Sequence, residues 1–491
     1  MSPKTKPKIR GREKAVALTA ALTLAYTAWG FGGIIAWSLH IMLAGGLLTL
    51  CLALWPARGR HHDPEFTVRI PRILRCPQFY AVLAFLGYIA LAACNPAWEL
   101  ASNERGWWIS PIDPPLADWL PTSVQSRYEP MNAWRIFNMH LAAFSLALGI
   151  KLGIKRRGSL LFVLWAFLAS SVLMAGFAIF QKHSGAELVL WAYKSKNPHF
   201  WGSFAYRNQA VAFLNWSLVI AGVLYFYHAA RSRLEGRSGG PHFLAFCLIA
   251  PLAVSVGLAL SRGGIVFASI LTAIFLLLVF IDYTARTLAQ TSLHTLPITT
   301  ILTLMLASLL GIGLFQAYHA VDWEAVDRRF GDIEATIENA DSDARMLSSK
   351  HTWRMAQDAL WTGWGAGSFR YAFPKYQIKE PRIFYVRYHP KKGWIGRLFY
   401  RYAHNDILQF LAEYGLIGSG LLLLAIGGFL LPVFTALRTS PLAILFLLAG
   451  LACAAGHAFL DFIFHSPAYW VAFISGIALC SRLLRLESNR S

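Results

Sequence analysis

What most limits the architecture of this chain is a run of about twenty apolar residues that recurs along its whole length. Such a run crosses the hydrocarbon core of a bilayer as one helix, and a water-soluble fold has little use for so many of them. Segments of this kind fall at 15–32, 34–55, 78–95, 133–153, 159–180, 207–228, 243–260, 264–283, 297–318, 405–434, 440–464 and 467–484. The pattern predicts an all-α polytopic membrane protein with about twelve transmembrane helices. Composition agrees, with 56% of residues hydrophobic and only 14% charged, against about 25% charged in soluble domains.

The formal charge of +20 does not point to nucleic acid. Most Lys and Arg lie in short loops between apolar runs, as the positive-inside rule describes, and anionic membrane lipid is the partner they fit. Residues 1–14 are expected to be a basic cytoplasmic tail, since no small-residue cleavage site follows a short apolar core. The inside segments then include "ARGRHHDPEFTVRIPRILR", "KLGIKRR", "RSRLEGRSGG" and a tail at 485–491, while the Trp- and Pro-rich loops near 96–131 and 181–206 face outward. By this count residues 15–318 hold nine helices, 319–403 form one large, partly helical periplasmic loop, and 404–484 hold the last three helices. A loop of about eighty-five residues far exceeds an ordinary connection, and that length predicts function. The six cysteines sit in or beside apolar runs without Cys-x-x-Cys spacing, which suits buried small hydrophobes rather than disulfides or a metal site.

The same parity brings sequence-distant polar groups to one face. Arg207 and Asn208 open the sixth span, Arg262 stands at "LALSRGGIV", and His404 opens the tenth span in "RYAHNDILQFLAEYGLIG". An imidazole titrates near neutral pH and can take a proton from a hydroxyl. Asn405 and Asp406 suit a helix N-terminus. Glu413 is an intramembrane carboxylate, functional by default, and Gly415 and Gly418 share a face at i,i+3 that would admit a close helix neighbour. The guanidinium of Arg262 keeps its charge; an anionic ligand would satisfy it, and snorkelling to headgroups is the alternative. From 370 to 403, nine cations that include Arg397 and Arg401 face only Glu380, with aromatics interleaved. That mixture suits either phosphate recognition or a lipid surface. The stretch 321–345 reads as a soluble surface helix, and His457 and Asp461 fall four apart on one helical face as a buried hydrogen-bonded pair. "DSD" at 341–343 is too short a match to count as a metal motif.

These motifs, taken together and in order, resemble the O-antigen ligase and O-antigen polymerase superfamily. His404-Asn405, nine residues and then Gly415-Leu-Ile-Gly418 is similar to its HN-x9-GxxG signature. "SRGG" at 261–264, "YRNQAVAFL", "HAFLDFIFHSPA" and the helix-plus-glycine stretch "ARMLSSKHTWRMAQDALWTGWGAGSFRYAFPKY" resemble further family segments, with Trp361-Thr-Gly standing where many relatives carry Pro-Leu-x-Gly. The resemblance covers roughly residues 200–470. It implies a metal-independent GT-C-type glycosyltransferase of the bacterial inner membrane, with no cofactor. Such an enzyme moves a glycan from undecaprenyl pyrophosphate to a lipid A–core, glycan or protein acceptor at the periplasmic face. Carried onto this chain, it makes His404 the general base or the group that orients the acceptor hydroxyl, and Arg262 and then Arg345 the cations on the leaving group. Arg354 and Arg207 stand behind them, with Asn208, Arg397, Arg401, Asn405 and Glu413 as further substrate contacts. Ligase is favoured over polymerase; pilin-type ligases often carry additional C-terminal sequence, so a chain that ends soon after its last span is expected to use a lipid or glycan acceptor rather than protein. A twelve-helix flippase or transporter is the rival from another class; its usual internal duplication is not found in this sequence.

Overall fold

A computed structural model of the protein describes residues 11–55, 73–104, 106–126, 131–195, 199–237, 239–289 and 344–488. Eleven of the expected apolar segments are helices: α1 Gly11–Thr27, α2 Ala36–Leu54, α3 Pro77–Cys94, α4 Ala133–Gly153, α5 Arg157–His183, α6 Arg207–Leu234, α7 His242–Leu258, α8 Arg262–Ala289, and, after the large loop, Asp406–Leu430, Pro441–Leu460 and Pro467–Ser488. Among the described residues, nine helices are long and apolar enough to cross a membrane, and α7 is a shorter apolar helix. The chain is thus an all-α, multi-pass membrane protein. The expected span at 297–318 and the surface helix at 321–343 lie outside the described residues.

The large loop contributes helix α9 (Ala344–Asp358), three single turns α10 to α12 (Phe369–Ala372, Pro374–Gln377, Pro381–Phe384) and a hairpin, β4 (Tyr385–His389) with β5 (Gly393–Arg397). The three helices that follow are α13 (Asp406–Leu430), α14 (Pro441–Leu460) and α15 (Pro467–Ser488). The loop near 96–131 is more ordered than its sequence suggested. It forms a small sheet in which β1 (Pro96–Asn103) pairs antiparallel with β2 (Gly106–Pro111) and parallel with β3 (Ser123–Gln125).

The chain divides into two compact units. The first holds residues up to Phe167, Asn339–Val433 and Ala458–Arg490. Its membrane part is tight. A Cβ added at Gly46 of α2 would lie 2.6 Å from the Ala142 carbonyl of α4, and one at Gly149 of α4 would lie 2.9 Å from the Leu50 nitrogen. Backbones approach this closely only where side chains are absent. Outside the bundle, α9 and the turns after it bury an apolar core that includes Leu347, Met355, Trp364, Phe369, Phe373 and Tyr376, and this core takes in Ala403 and Ala412 around the start of α13. The sheet joins through Trp98 and Leu100, two residues apart and so on one strand face, packed with Val124, Met131 and Tyr371.

Helix α13 is not continuous. Gly415 sits at φ 64°, ψ −172° inside it, so the intrahelical ladder breaks there. Gly418, by contrast, behaves as expected: its added Cβ would meet the Tyr88 ring of α3 at 2.5 Å. The two glycines therefore serve different purposes, one as a break and one as a close helix contact.

The second unit runs from Leu168 to Glu338 with Phe434–His457. Within it α6 and α8 run parallel. Near their starts Gly264 meets Val211, and Asn215 Nδ2 donates to the Gly264 carbonyl at 3.0 Å; near their far ends Arg233 pairs with Asp282.

Candidate active site

The loop reaches the mouth of α13 through a set of backbone exchanges at the Gly415 break. Trp364 N–H donates to the Ala412 carbonyl at 2.9 Å and Gly365 N–H to that of Glu413 at 2.8 Å. In return, Leu416 N–H and Ile417 N–H donate to the Leu360 and Trp361 carbonyls at 2.8 and 3.1 Å. The loop thereby satisfies polar groups that the broken helix leaves open, as any buried backbone requires. The sequence Gly363-Trp-Gly-Ala-Gly367 can do this because all three glycines adopt positive φ, at 70°, 91° and 73°.

Glu413 secures this turn. Its carboxylate, fully buried, accepts Gly367 N–H at 2.9 Å, Phe369 N–H at 3.2 Å and Gln409 Nε2 at 3.1 Å. Gln409 in turn accepts Ala403 N–H at 2.9 Å and lies 2.9 Å from His465 Nε2. His465 Nδ1 is 2.6 Å from Asp406 Oδ1, and Asp406 Oδ2 accepts Phe464 N–H at 2.7 Å. One network therefore joins the loop turn, the first two turns of α13 and the 461–466 connection. Expected as a substrate contact, Glu413 holds three protein donors in its buried position.

His404 precedes this network at the helix mouth. Among the described residues it is one of five non-glycine residues with positive φ, at 56°, a conformation that His tolerates better than most. Asn405 then caps α13, its side chain accepting Leu408 N–H at 3.0 Å, as its residue type suggested. The left-handed residue turns the imidazole toward the 461–466 connection, where it meets the Phe462 ring edge-on at 4.8 Å. Tyr402 stacks on the same ring at 4.4 Å. His404 Nδ1 lies 3.3 Å from Asp461 Oδ1, close enough for an ion pair although outside hydrogen-bond geometry. The other oxygen, Asp461 Oδ2, lies 3.7 Å from an Arg345 guanidinium nitrogen, and Arg345 also donates to the Leu460 carbonyl at 3.3 Å.

His404 and Arg345, 59 residues apart, are thus brought together, with Asp461 between them. Helix α14 stops at Leu460, one residue before Asp461, and His457 stacks on Phe267 at 5.4 Å within the second unit. Arg354 does not join the group. Nine residues from Arg345 on α9 put it on the opposite face and about 13–14 Å along the axis, where it is exposed beside His351. Arg397 and Arg401 are exposed, the former 5.7 Å over the Phe384 ring. Arg370, not singled out by sequence, is buried over Phe399 at 5.2 Å. Burial, with the charge of Arg354 second, lowers the pKa of His351 below the usual imidazole value.

In the second unit, Arg207 and Arg262 stand at the first residues of the parallel helices α6 and α8, hence at the same end. Asn208 Nδ2 donates to the Tyr206 hydroxyl at 2.8 Å. Left-handed Leu260 (φ 53°) precedes Ser261, whose Oγ accepts Gly264 N–H at 3.3 Å and caps α8 behind Arg262.

A partly exposed imidazole backed by a buried carboxylate, with a guanidinium on that same carboxylate, is an arrangement for proton abstraction next to an anionic group. The group stands at the mouth of a helix in a multi-pass membrane protein. Residues 244–425, somewhat over a third of the chain, match the family model described as O-antigen ligase, and this match supports the O-antigen ligase superfamily for that part of the chain. The matched segment contains Arg262, Arg345, Arg354, Arg397, Arg401, His404, Asn405 and Glu413, and leaves out Arg207, Asn208 and Asp461. No curated protein matches the chain.

Proposed function

We propose that the protein transfers a glycan from undecaprenyl pyrophosphate to an acceptor hydroxyl, of lipid A–core or a similar molecule, at the periplasmic face of the inner membrane. The observation that carries this reading is the His404–Asp461–Arg345 group beside the loop turn. A proton on Nδ1 facing Asp461 leaves Nε2 with its lone pair, and that nitrogen takes the acceptor's proton. The acceptor oxygen then attacks the anomeric carbon as its bond to pyrophosphate breaks, which inverts the configuration. Pyrophosphate leaves readily, so its developing charge needs cations rather than an acid. Arg345 supplies one, and Arg262 stays a candidate phosphate-binding cation on the strength of its sequence setting. The deciding experiment is the glycan profile of a host lacking the gene, rescued with wild type or His404→Ala. Full-length polymer held on the lipid carrier and missing from its acceptor identifies a ligase. Single repeats that reach the acceptor without chain growth identify a polymerase, and full rescue by the histidine variant removes His404 from the mechanism.

A further inference from the structure

His404 is held in place by its backbone. At the ring, Nδ1 approaches Asp461 at 3.3 Å, outside hydrogen-bond geometry. The residue itself stands at φ 56°, and a left-handed residue other than glycine persists only where its surroundings over-determine it. Two side chains do so through Ala403, whose peptide groups are gripped from both sides. Its carbonyl accepts Ser348 Oγ at 3.2 Å, and its N–H donates to Gln409 Oε1 at 2.9 Å. That carbonyl lies in the peptide plane whose rotation about the next bond is the φ of His404. Ser348 therefore fixes the angle directly, and Gln409 fixes the plane before it. Ala403, Ser348 and Gln409 are all 0% exposed, so no water replaces these bonds.

Gln409 can hold on only one way round. Turned over, its amide nitrogen would face the Ala403 N–H and its oxygen would face Glu413 Oε1, donor against donor and acceptor against acceptor. In the orientation that remains, Nε2 directs its two hydrogens to Glu413 Oε1 at 3.1 Å and to His465 Nε2 at 2.9 Å. His465 therefore accepts at Nε2 and carries its proton on Nδ1, against Asp406 Oδ1 at 2.6 Å. We propose that Gln409 and Ser348 are positioning residues that keep the His404 imidazole aimed at the acceptor hydroxyl, with His465 and Glu413 setting the direction of Gln409. The proposal rests on the glycosyl-transfer reading above. Ser348 follows Arg345 by three residues on α9, so the helix that presents the cation also steadies the base.

The test separates orientation from folding. It uses full-length protein purified in detergent, with lipid-linked glycan and acceptor extracted from a host lacking the gene. Gln409→Met, which keeps the side-chain length and loses the oxygen, should lower kcat about ten- to a hundredfold, the range that a misplaced group costs. Its KM for the donor should stay within about twofold, since ground-state binding is untouched. Gln409→Glu keeps an oxygen for the Ala403 N–H while sharing one proton with Glu413, and should hold kcat within about threefold of wild type. Ser348→Ala frees the same residue from its other side at the loss of one hydroxyl and should lower kcat in the same sense; it carries the test if thermal melts show that Gln409→Met does not fold. In a His404→Ala background neither Gln409→Met nor Ser348→Ala should lower the residual transfer further, because both act through the imidazole. A further loss there overturns the proposal, since a merely structural residue costs transfer with or without the imidazole. A raised KM at wild-type kcat overturns it as well, being the mark of a substrate contact, and so does Gln409→Glu as slow as Gln409→Met. If wild type transfers no glycan, the glycosyl-transfer reading falls and takes the proposal with it.

Discussion

Gly363 of the loop and Gly415 of α13 lie so close that a Cβ on either would strike the other's backbone. An added Cβ at Gly363 falls 2.5 Å from the Gly415 nitrogen, and one at Gly415 falls 2.6 Å from the Gly363 nitrogen and 2.4 Å from the Trp361 carbonyl. Both residues also hold positive φ. Alanine at either position therefore meets backbone, which cannot rotate away, and a left-handed penalty besides. Each substitution should destabilise by roughly 2–5 kcal/mol, read as a lowered melting temperature in detergent. Because both disrupt the same junction, the double variant should cost much less than the sum.

Glu413 is the second clamp on this junction, and its chemistry gives a graded series. Alanine leaves the Gly367 and Phe369 N–H groups buried without an acceptor, at a cost of about 2–5 kcal/mol. Glutamine keeps one carbonyl oxygen for those donors and should cost about 1–2 kcal/mol. Stability and transfer should fall in parallel across the two variants, because the carboxylate holds the loop that presents Arg345. Loss of transfer in Glu413→Gln at unchanged melting temperature would instead make Glu413 a direct substrate contact.

How far the sequence disclosed this site follows from the range of the forces involved. Spans were legible because twenty consecutive apolar residues have one good environment. His404-Asn405 at a helix mouth was legible because an Asn cap is a local interaction, three residues long. The contacts of Asp461 with His404 and Arg345 were not legible, because they join residues 57 and 116 apart while the local i,i+4 spacing points only to His457. The Asp406–His465 contact joins residues 59 apart, and nothing in either neighbourhood announces it. The Gly415 break depends on a partner backbone some fifty residues upstream, while glycines in membrane helices more often serve close packing, as Gly418 does. The Trp- and Pro-rich outer loop conceals β1 to β3 because its period-two face is only Trp98 and Leu100 long.

His404 itself should separate chemistry from folding. Replacing the imidazole with alanine removes the proton acceptor, and general-base catalysis is typically a factor of about 10²–10⁴, so transfer should fall by that factor. Its side chain is 27% exposed, so little packing is lost and the melting temperature should hold within a few degrees. His404→Asn, which keeps a residue tolerant of positive φ, should be as inactive and nearer wild type in stability. Retained transfer in the asparagine variant would assign the imidazole a purely conformational role.

The loop core should also carry an acid-side instability. His351 is 3% exposed on the inner face of α9, and burial together with the neighbouring Arg354 charge lowers its pKa in the folded protein. The charged and titratable groups acting on it include Lys350, Lys379 and Glu380, of which only the last favours protonation. In the unfolded chain the imidazole titrates near about 6.5. The unfolded state therefore binds more protons than the folded one between that value and the lowered one, and stability rises with pH across this window. The contribution is fully present above about pH 6.5 and is lost as pH falls toward the folded value. His351→Gln, uncharged throughout, should flatten the melting temperature between roughly pH 7.5 and 5. An equally steep acid-side decline in that variant would move the effect away from His351 and onto other groups of the fold.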